Sequence, residues 1–420
     1  MTDHETEHDA APGFTTTLLH SDRRDLIEHG SLHKPVHTSV AYGYTDAREI
    51  AEVFQGKKAG YSYGRQSNPT VEALQTKLTR MEDGVGTVAF GTGMGAIGSM
   101  LLALLKQGDH MVSSSFLFGN TNSLFGTFDG LGLDVDFVDA TDVANVAAAL
   151  RADTRLVFVE TIANPRTQIA DLEAIGALCA ERGVLFVVDN TMTSPWLFRP
   201  KAVGAGLVVN ALTKYIAGHG AALGGSITDT GAYDWTRFPN IFEGYKSQPQ
   251  AKWGLQQIRK KGLRDLGASL GPEAAHHIAL GAETLALRMD RACANARAVT
   301  AFLDAHPAIA RVYHPSLPDH PQHGRAAALF RDFGALFSFE LDDAIDIFEF
   351  MNALDTVVLS SNLGDNRTLA IPVAHTIYYE MGAERRASMG IRDSLIRVSV
   401  GIEDEADLIA DFAGALARFE

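Results

Sequence analysis

Between Thr70 and Asp189 the chain alternates helix-period segments with short apolar runs, and this alternation restricts the fold more than any other feature. Helices are expected over Thr70–Met81, Ala96–Leu105, Asn122–Leu131, Val143–Leu150 and Asp171–Arg182, the last closed by Gly183. Strands are expected over Thr87–Phe90, His110–Ser114, Asp134–Val138, Leu156–Val159 and Val184–Val188. Parallel strands need a crossover of a dozen or so residues, and the helical segments supply it. The pattern therefore predicts an α/β domain with a mainly parallel sheet covered by helices on both faces.

Polar residues sit where such strands end. Lys214 follows the apolar run Gly206–Val209, Asp189 ends Val184–Val188, and Asn164 follows Leu156–Val159 and Glu160. In an open α/β sheet ligands collect outside the carboxyl ends of the strands, so an amine, a carboxylate and an amide should meet there. A desolvated amine can attack a carbonyl. With a carboxylate for a ring nitrogen, this is the inventory of a pyridoxal 5'-phosphate site.

At 420 residues the chain exceeds one compact core. Residues 1–62 read as an N-terminal tail and arm, with a helix-like segment at Ala47–Phe54, residues 63–265 as the cofactor domain, and residues 266–420 as a smaller α+β domain. In the last, Pro272 opens a helical stretch to about Ala305, strands are expected at Ala335–Leu341 and Leu395–Val400, and helices near Ile345–Leu354 and Glu405–Phe419. The 36 Lys and Arg against 51 Asp and Glu leave a net charge of −15, which argues against nucleic acid or an anionic membrane as partner. The acidic, polar Met1–Gly13 is the reverse of a signal peptide and reads as a disordered tail. No apolar run approaches the roughly 20 residues that span a bilayer. Two distant cysteines, Cys179 and Cys293, form neither a disulfide framework nor a zinc cluster, and a cytoplasmic location is expected.

Gly93-Met94-Gly95-Ala96-Ile97-Gly98 has the G-x-G-x-x-G spacing between a strand and a helix. A dinucleotide site wants an acid about 20 residues on, but the next strand ends in Ser113-Ser114-Ser115-Phe116, which disfavours a nicotinamide oxidoreductase. The same turn can cup a single phosphate against a helix N-terminus, or serve packing alone. Gly267-Ala268-Ser269-Leu270-Gly271 mimics a hydrolase elbow but lacks the strand before its serine. His276 and His277 are adjacent, so a helix cannot aim both at one ligand, and they read as structural. Tyr63-Gly64-Arg65, ahead of Asn68-Pro69-Thr70, offers a phenol and a guanidinium suited to phosphate, with a plain surface loop as the alternative. Arg397 lies inside an apolar strand and must be paired internally or serve a ligand.

Together these residues resemble the fold-type I pyridoxal phosphate enzymes of cysteine and methionine metabolism, the cystathionine synthase and lyase family, from about His33 to the end. The resemblance implies that Tyr63 and Arg65, in Y-x-R-x-x-N-P-T, reach the phosphate of a neighbouring subunit. It also implies that Gly93, Met94 and Thr213 hold the phosphate, Asn164 the phenolic oxygen, Asp189 the ring nitrogen and Lys214 the Schiff base. Arg397 would clamp the substrate carboxylate, and Asn362, in Asn362-Leu363-Gly364-Asp365, would lie at the substrate. A homotetramer built from active dimers is expected.

The departures point to a branch of the family. Phe118-Gly119-Asn120-Thr121 replaces the family's Tyr-Gly-Gly-Thr, which keeps an aromatic face for the cofactor ring but removes a phenol. Ala211 stands for a serine, removing a phosphate hydrogen bond of about 1 kcal/mol. Gly218-His219-Gly220-Ala221 and Asn362-Leu363-Gly364-Asp365 look most like the O-acylhomoserine sulfhydrylases, although Ile371 and Ile377 stand where that branch tends to carry histidines. An acylate leaves with little acid assistance, so Phe118 favours γ-replacement on an O-acylhomoserine by sulfide or a thiol. The rival expectation is a β- or γ-lyase acting on cystathionine or methionine, with Tyr61 or another phenol supplying the acid.

Overall fold

The computed structural model describes residues 12–22 and 27–419, so the expected tail at Met1–Gly13 lies almost wholly outside the described residues. Seven strands form the larger sheet: β1 (Gly86–Phe90), β2 (His110–Ser114), β3 (Asp134–Val138), β4 (Thr154–Glu160), β5 (Leu185–Asp189), β6 (Leu207–Asn210) and β7 (Gly225–Asp229). Their order is β1-β7-β6-β5-β4-β2-β3. From β6 to β3 every neighbour is parallel, while β7 runs antiparallel to both β6 and β1. This is the mainly parallel α/β sheet that the alternation of segments predicts.

Helices cover both faces, as the alternation requires. One layer packs against Val88, Phe158, Val187 and Val209, the other against Ala89, Val157, Val188 and Val208. Neighbours along each strand thus go to opposite cores, which is the two-residue period of a sheet buried on both sides.

β7 was not legible as a strand because it carries one large apolar side chain, Ile227. Its polar residues are buried: Thr228 Oγ1 lies 2.9 Å from Thr87 Oγ1 of β1, Trp235 Nε1 donates to Asp229 at 2.8 Å, and the Ser226 hydroxyl is buried without a partner.

The second sheet has five strands rather than the two expected. They are β8 (Ile309–Tyr313), β9 (Leu336–Leu341), β10 (Val358–Leu359), β11 (Leu369–Pro372) and β12 (Leu395–Ser399), in the order β10-β11-β12-β9-β8. The helical stretch from Pro272 is two helices, Pro272–Glu283 and Leu285–Asp304, interrupted at Thr284, where ψ is 10°. The arm holds the expected helix Ala47–Phe54 and meets the body through an Ala41–Tyr63 bridge. Asn68 of the N-P-T run caps the helix Pro69–Met81 by accepting the Thr70 and Val71 N–H groups, so this part of the motif has a local structural job.

Candidate functional site

The carboxyl ends of β4, β5 and β6 open into a cavity of about 440 Å³. It is lined by nine of the residues singled out in the sequence: Gly93, Met94, Phe118, Asn164, Asp189, Thr213, Lys214, Asn362 and Arg397. Residues more than 300 positions apart converge because the turn after β6 and strand β12 of the second sheet face each other across it.

Lys214 stands on the turn after β6. Its Nζ donates to Asn362 Oδ1 at 2.8 Å, and Thr213 anchors the turn by accepting the Gly224 N–H at 3.0 Å. Burial, reinforced by the nearby Arg397 charge, lowers the Lys214 amine from 10.5 to about 8. A sizeable neutral fraction near neutral pH makes it a competent nucleophile and base.

Asp189 ends β5, and its Oδ1 accepts the Thr191 N–H at 2.9 Å. Burial raises its carboxyl to about 6, opposed by the Thr191 hydrogen bonds. A buried carboxyl of this kind prefers a cationic partner to protonation.

Glu160 is the site residue that sequence reasoning passed over. It ends β4 in register with Asp189, and its Oε1 accepts the Phe118 N–H at 2.7 Å. Burial and then the Asp189 charge push its carboxyl well up. Its position at the end of a strand was the available signal, the same one that marked Asp189. Tyr378 was also missed; its buried hydroxyl donates to the Asn164 carbonyl at 2.7 Å.

Gly93 opens the helix Gly93–Leu104, and the N-cap Thr92 Oγ1 accepts the Gly95 N–H at 2.8 Å. The Gly93 and Met94 N–H groups have no acceptor within the helix and are available to an anion. A Cβ on Gly93 would come within 2.9 Å of the Ala211 Cβ, so the turn and Ala211 pack at a distance that leaves no room for a side chain.

Arg397 is 1% exposed. One of its amino groups donates to the Ser361 and Asn362 carbonyls at 2.9 Å each, while Nε is buried without a partner. Burial lowers the guanidinium to about 10, and spare donor capacity on a buried cation is what an incoming carboxylate satisfies. Asn164 Oδ1 is likewise buried and unpartnered. The amine, carboxylate, helix N-terminus, aromatic Phe118 and unsatisfied amide together fit pyridoxal phosphate.

Tyr63 and Arg65 do not reach this cavity within their own chain. The Arg65 guanidinium lies 5.5 Å over the Tyr63 ring and donates to the Arg264 carbonyl, and Tyr63 is 46% exposed. Tyr61 hydrogen-bonds Glu72 and does not line the cavity either. Ile377 lines it, whereas Ile371 is buried in β11 opposite Arg397. Ser269 donates to the Arg65 carbonyl at 3.0 Å and has no part in the cavity, as the failed elbow context predicted.

The model of the Cys/Met metabolism PLP-dependent enzyme family matches residues 15–417. The chain belongs to that family. It is a pyridoxal-phosphate-dependent enzyme of sulfur amino acid metabolism. It is 37% identical over 410 residues to an L-methionine gamma-lyase of Fusobacterium nucleatum, covering 97% of this chain and 98% of that one. It is 33% identical to the homocysteine synthase of Schizosaccharomyces pombe, covering 98% and 99%. Among solved structures, a putative O-acetylhomoserine (thiol)-lyase from Campylobacter jejuni carrying a pyridoxyl-lysine phosphate superposes with a TM-score of 0.91 at 29% identity, over 96% of this chain and 99% of that one. Among the described residues no helix is long and apolar enough to cross a membrane.

Proposed function

We propose that this enzyme catalyses γ-replacement on an O-acylhomoserine, exchanging the acyloxy group for sulfide or a thiol. The observation that carries the reading is the set of proton-transfer groups. Among the described residues lining the cavity the ionisable side chains are Glu160, Asp189, Lys214 and Arg397, with no phenol, imidazole or thiol. Of this chain's own groups Lys214 is therefore the one able to move protons on the substrate carbons, and with the second copy's Tyr63 engaged at the phosphate the leaving group departs without an acid of its own, which suits an acylate.

In this reading Lys214 holds the cofactor's aldehyde carbon and Asp189 its ring nitrogen. Phe118 covers the ring face, Asn164 meets the phenolic oxygen, and Gly93, Met94 and Thr213 hold the phosphate. When bound, the cofactor supplies an electron sink for a carbanion at the substrate's amino-bearing carbon. Arg397 fixes the substrate carboxylate. Asn362, bonded to Lys214 Nζ at 2.8 Å, orients the amine that carries protons between the α- and β-carbons. Tyr63 and Arg65 serve the phosphate in a second copy of the chain, the working form is a homotetramer built from such dimers, and the enzyme acts in the cytoplasm.

One observation favours a second reading, elimination from methionine: the 37% identity to a methionine gamma-lyase along the whole chain. Product analysis separates the two. Replacement converts O-acetyl-L-homoserine and sulfide to homocysteine and acetate without ammonia, while elimination releases ammonia, methanethiol and an oxoacid from methionine. Faster ammonia release from methionine than homocysteine formation would overturn the replacement reading.

A further inference from the structure

The cavity's charges are already committed. Among the described residues lining it, Lys214 and Arg397 are the cations. The proposed roles give Lys214 to the cofactor and Arg397 to the substrate's α-carboxylate, and this inference rests on those roles. The remaining charged groups, Glu160 and Asp189, are carboxyls. The uncharged lining combines apolar Ile97, Met192, Leu223, Leu363 and Ile377 with the neutral polar side chains of residues such as Asn120, Thr121 and Ser361.

Ile377 holds a defined place in that wall. A Cβ added to Gly119, next to the ring-covering Phe118, would lie 3.7 Å from the Ile377 carbonyl and 3.8 Å from the Tyr378 ring, so this segment packs directly on the turn that carries Phe118. Tyr378 is fully buried and pinned by its hydrogen bond to the Asn164 carbonyl, which fixes the backbone beside Ile377. The backbone that carries Ile377 is thus anchored through Tyr378 and packed against the turn that carries Phe118.

We propose that Ile377, which lines the same cavity as the rim residue Leu223, sets substrate specificity by charge: the enzyme accepts amino acids with an uncharged γ-substituent and rejects those with a distal carboxylate. O-acetylhomoserine and methionine belong to the accepted class, and O-succinylhomoserine and cystathionine to the rejected one. In the proposed roles Lys214, Arg397 and the second copy's Arg65 are all committed to cofactor or α-carboxylate, so a distal carboxylate beside Ile377 would find no free counter-cation, and an unpaired charge leaving water is strongly penalised.

The test uses two unreactive amino acids of equal length, L-norleucine and L-2-aminoadipate, which differ by the terminal carboxylate. Each is titrated into the cofactor-loaded enzyme while the visible spectrum is recorded. Norleucine should perturb the spectrum at concentrations lower by on the order of 100-fold. Ile377→Arg, checked for an unchanged visible spectrum and circular dichroism, should narrow that ratio at least about tenfold by tightening 2-aminoadipate. Equal affinities in the native enzyme, tighter 2-aminoadipate, or no spectral response to norleucine would overturn the proposal. Should Ile377→Arg misfold, Leu223→Lys, at a 62% exposed rim position, replaces it, and an unmoved ratio there would also count against the proposal. Because these ligands bind without turnover, the outcome is independent of whether replacement or elimination is the physiological reaction. A γ-lyase would fail the homocysteine assay and still discriminate the pair.

Discussion

At the scale of single residues, the site works by burying groups that would rather be solvated and letting their needs define a ligand. Lys214 is held near 8 mainly by burial, so the cofactor-free protein should show modification of this amine rising with pH around a midpoint near 8 rather than 10.5. Reductive methylation followed by peptide mass spectrometry reads that midpoint, and a value near 10 would contradict the assigned environment. The sign of the linkage follows: the folded state disfavours the ammonium, so this residue's contribution to stability of the cofactor-free protein increases as pH rises from about 8 towards 10.5. Lys214→Ala should remove the visible chromophore of the lysine-bound cofactor. Glu160→Gln can keep an acceptor for the Phe118 N–H, whereas Glu160→Ala leaves that buried donor unpaired at a cost of about 1–3 kcal/mol. Thermal melts of the two variants should therefore separate, with Gln close to the native protein; equal losses would show that the hydrogen bond does not matter.

At the scale of elements, one contact positions the turn proposed to cup the phosphate. β7 passes under the start of the helix Gly93–Leu104 so closely that a Cβ on Gly225 would lie 2.2 Å from the Thr92 carbonyl and 2.7 Å from the Gly93 Cα. Both obstacles are backbone, which cannot rotate away. Gly225→Ala should then push the helix N-terminus outward, lowering stability by about 1–3 kcal/mol and weakening cofactor affinity together. Thr92→Ala removes only the cap on the Gly95 N–H and should cost about 1 kcal/mol. Cofactor titration beside melting curves distinguishes the two, since only the glycine substitution displaces the cup. The sequence announced this helix through its glycine spacing but not β7, whose buried side chains are mostly polar: Thr228 bonds Thr87 of β1 and Asp229 accepts from Trp235.

At the scale of the whole molecule, Tyr63 and Arg65 lie outside the cavity of their own chain, and their proposed work is on a second copy. That makes a subunit-mixing prediction. Arg65→Ala and Lys214→Ala should each be severely impaired alone. Dissociated and reassociated together, they should recover roughly a quarter of native activity, because a hybrid dimer regains one intact site. No recovery from verified hybrids would place Arg65 in its own subunit's function instead.

The sequence by itself determined the parallel part of the larger sheet and nominated the residues that meet at its edge. Strand-end residues such as Asp189 and Lys214 can be placed by counting, since a parallel sheet sends every strand's carboxyl end to one edge. The helix cap at Asn68 and the glycine turn at Gly93 are equally local and equally readable. What the tertiary structure alone decided depends on neighbours distant in the chain. It placed Glu160 against the Phe118 backbone, oriented Asn362 towards Lys214 Nζ, kept Tyr63 and Arg65 out of their own cavity, and made Ile377 rather than Ile371 a wall residue. The physical reason is that periodicity records which face a side chain takes, whereas hydrogen-bond partners and unpaired burial arise only when separate elements close on one another.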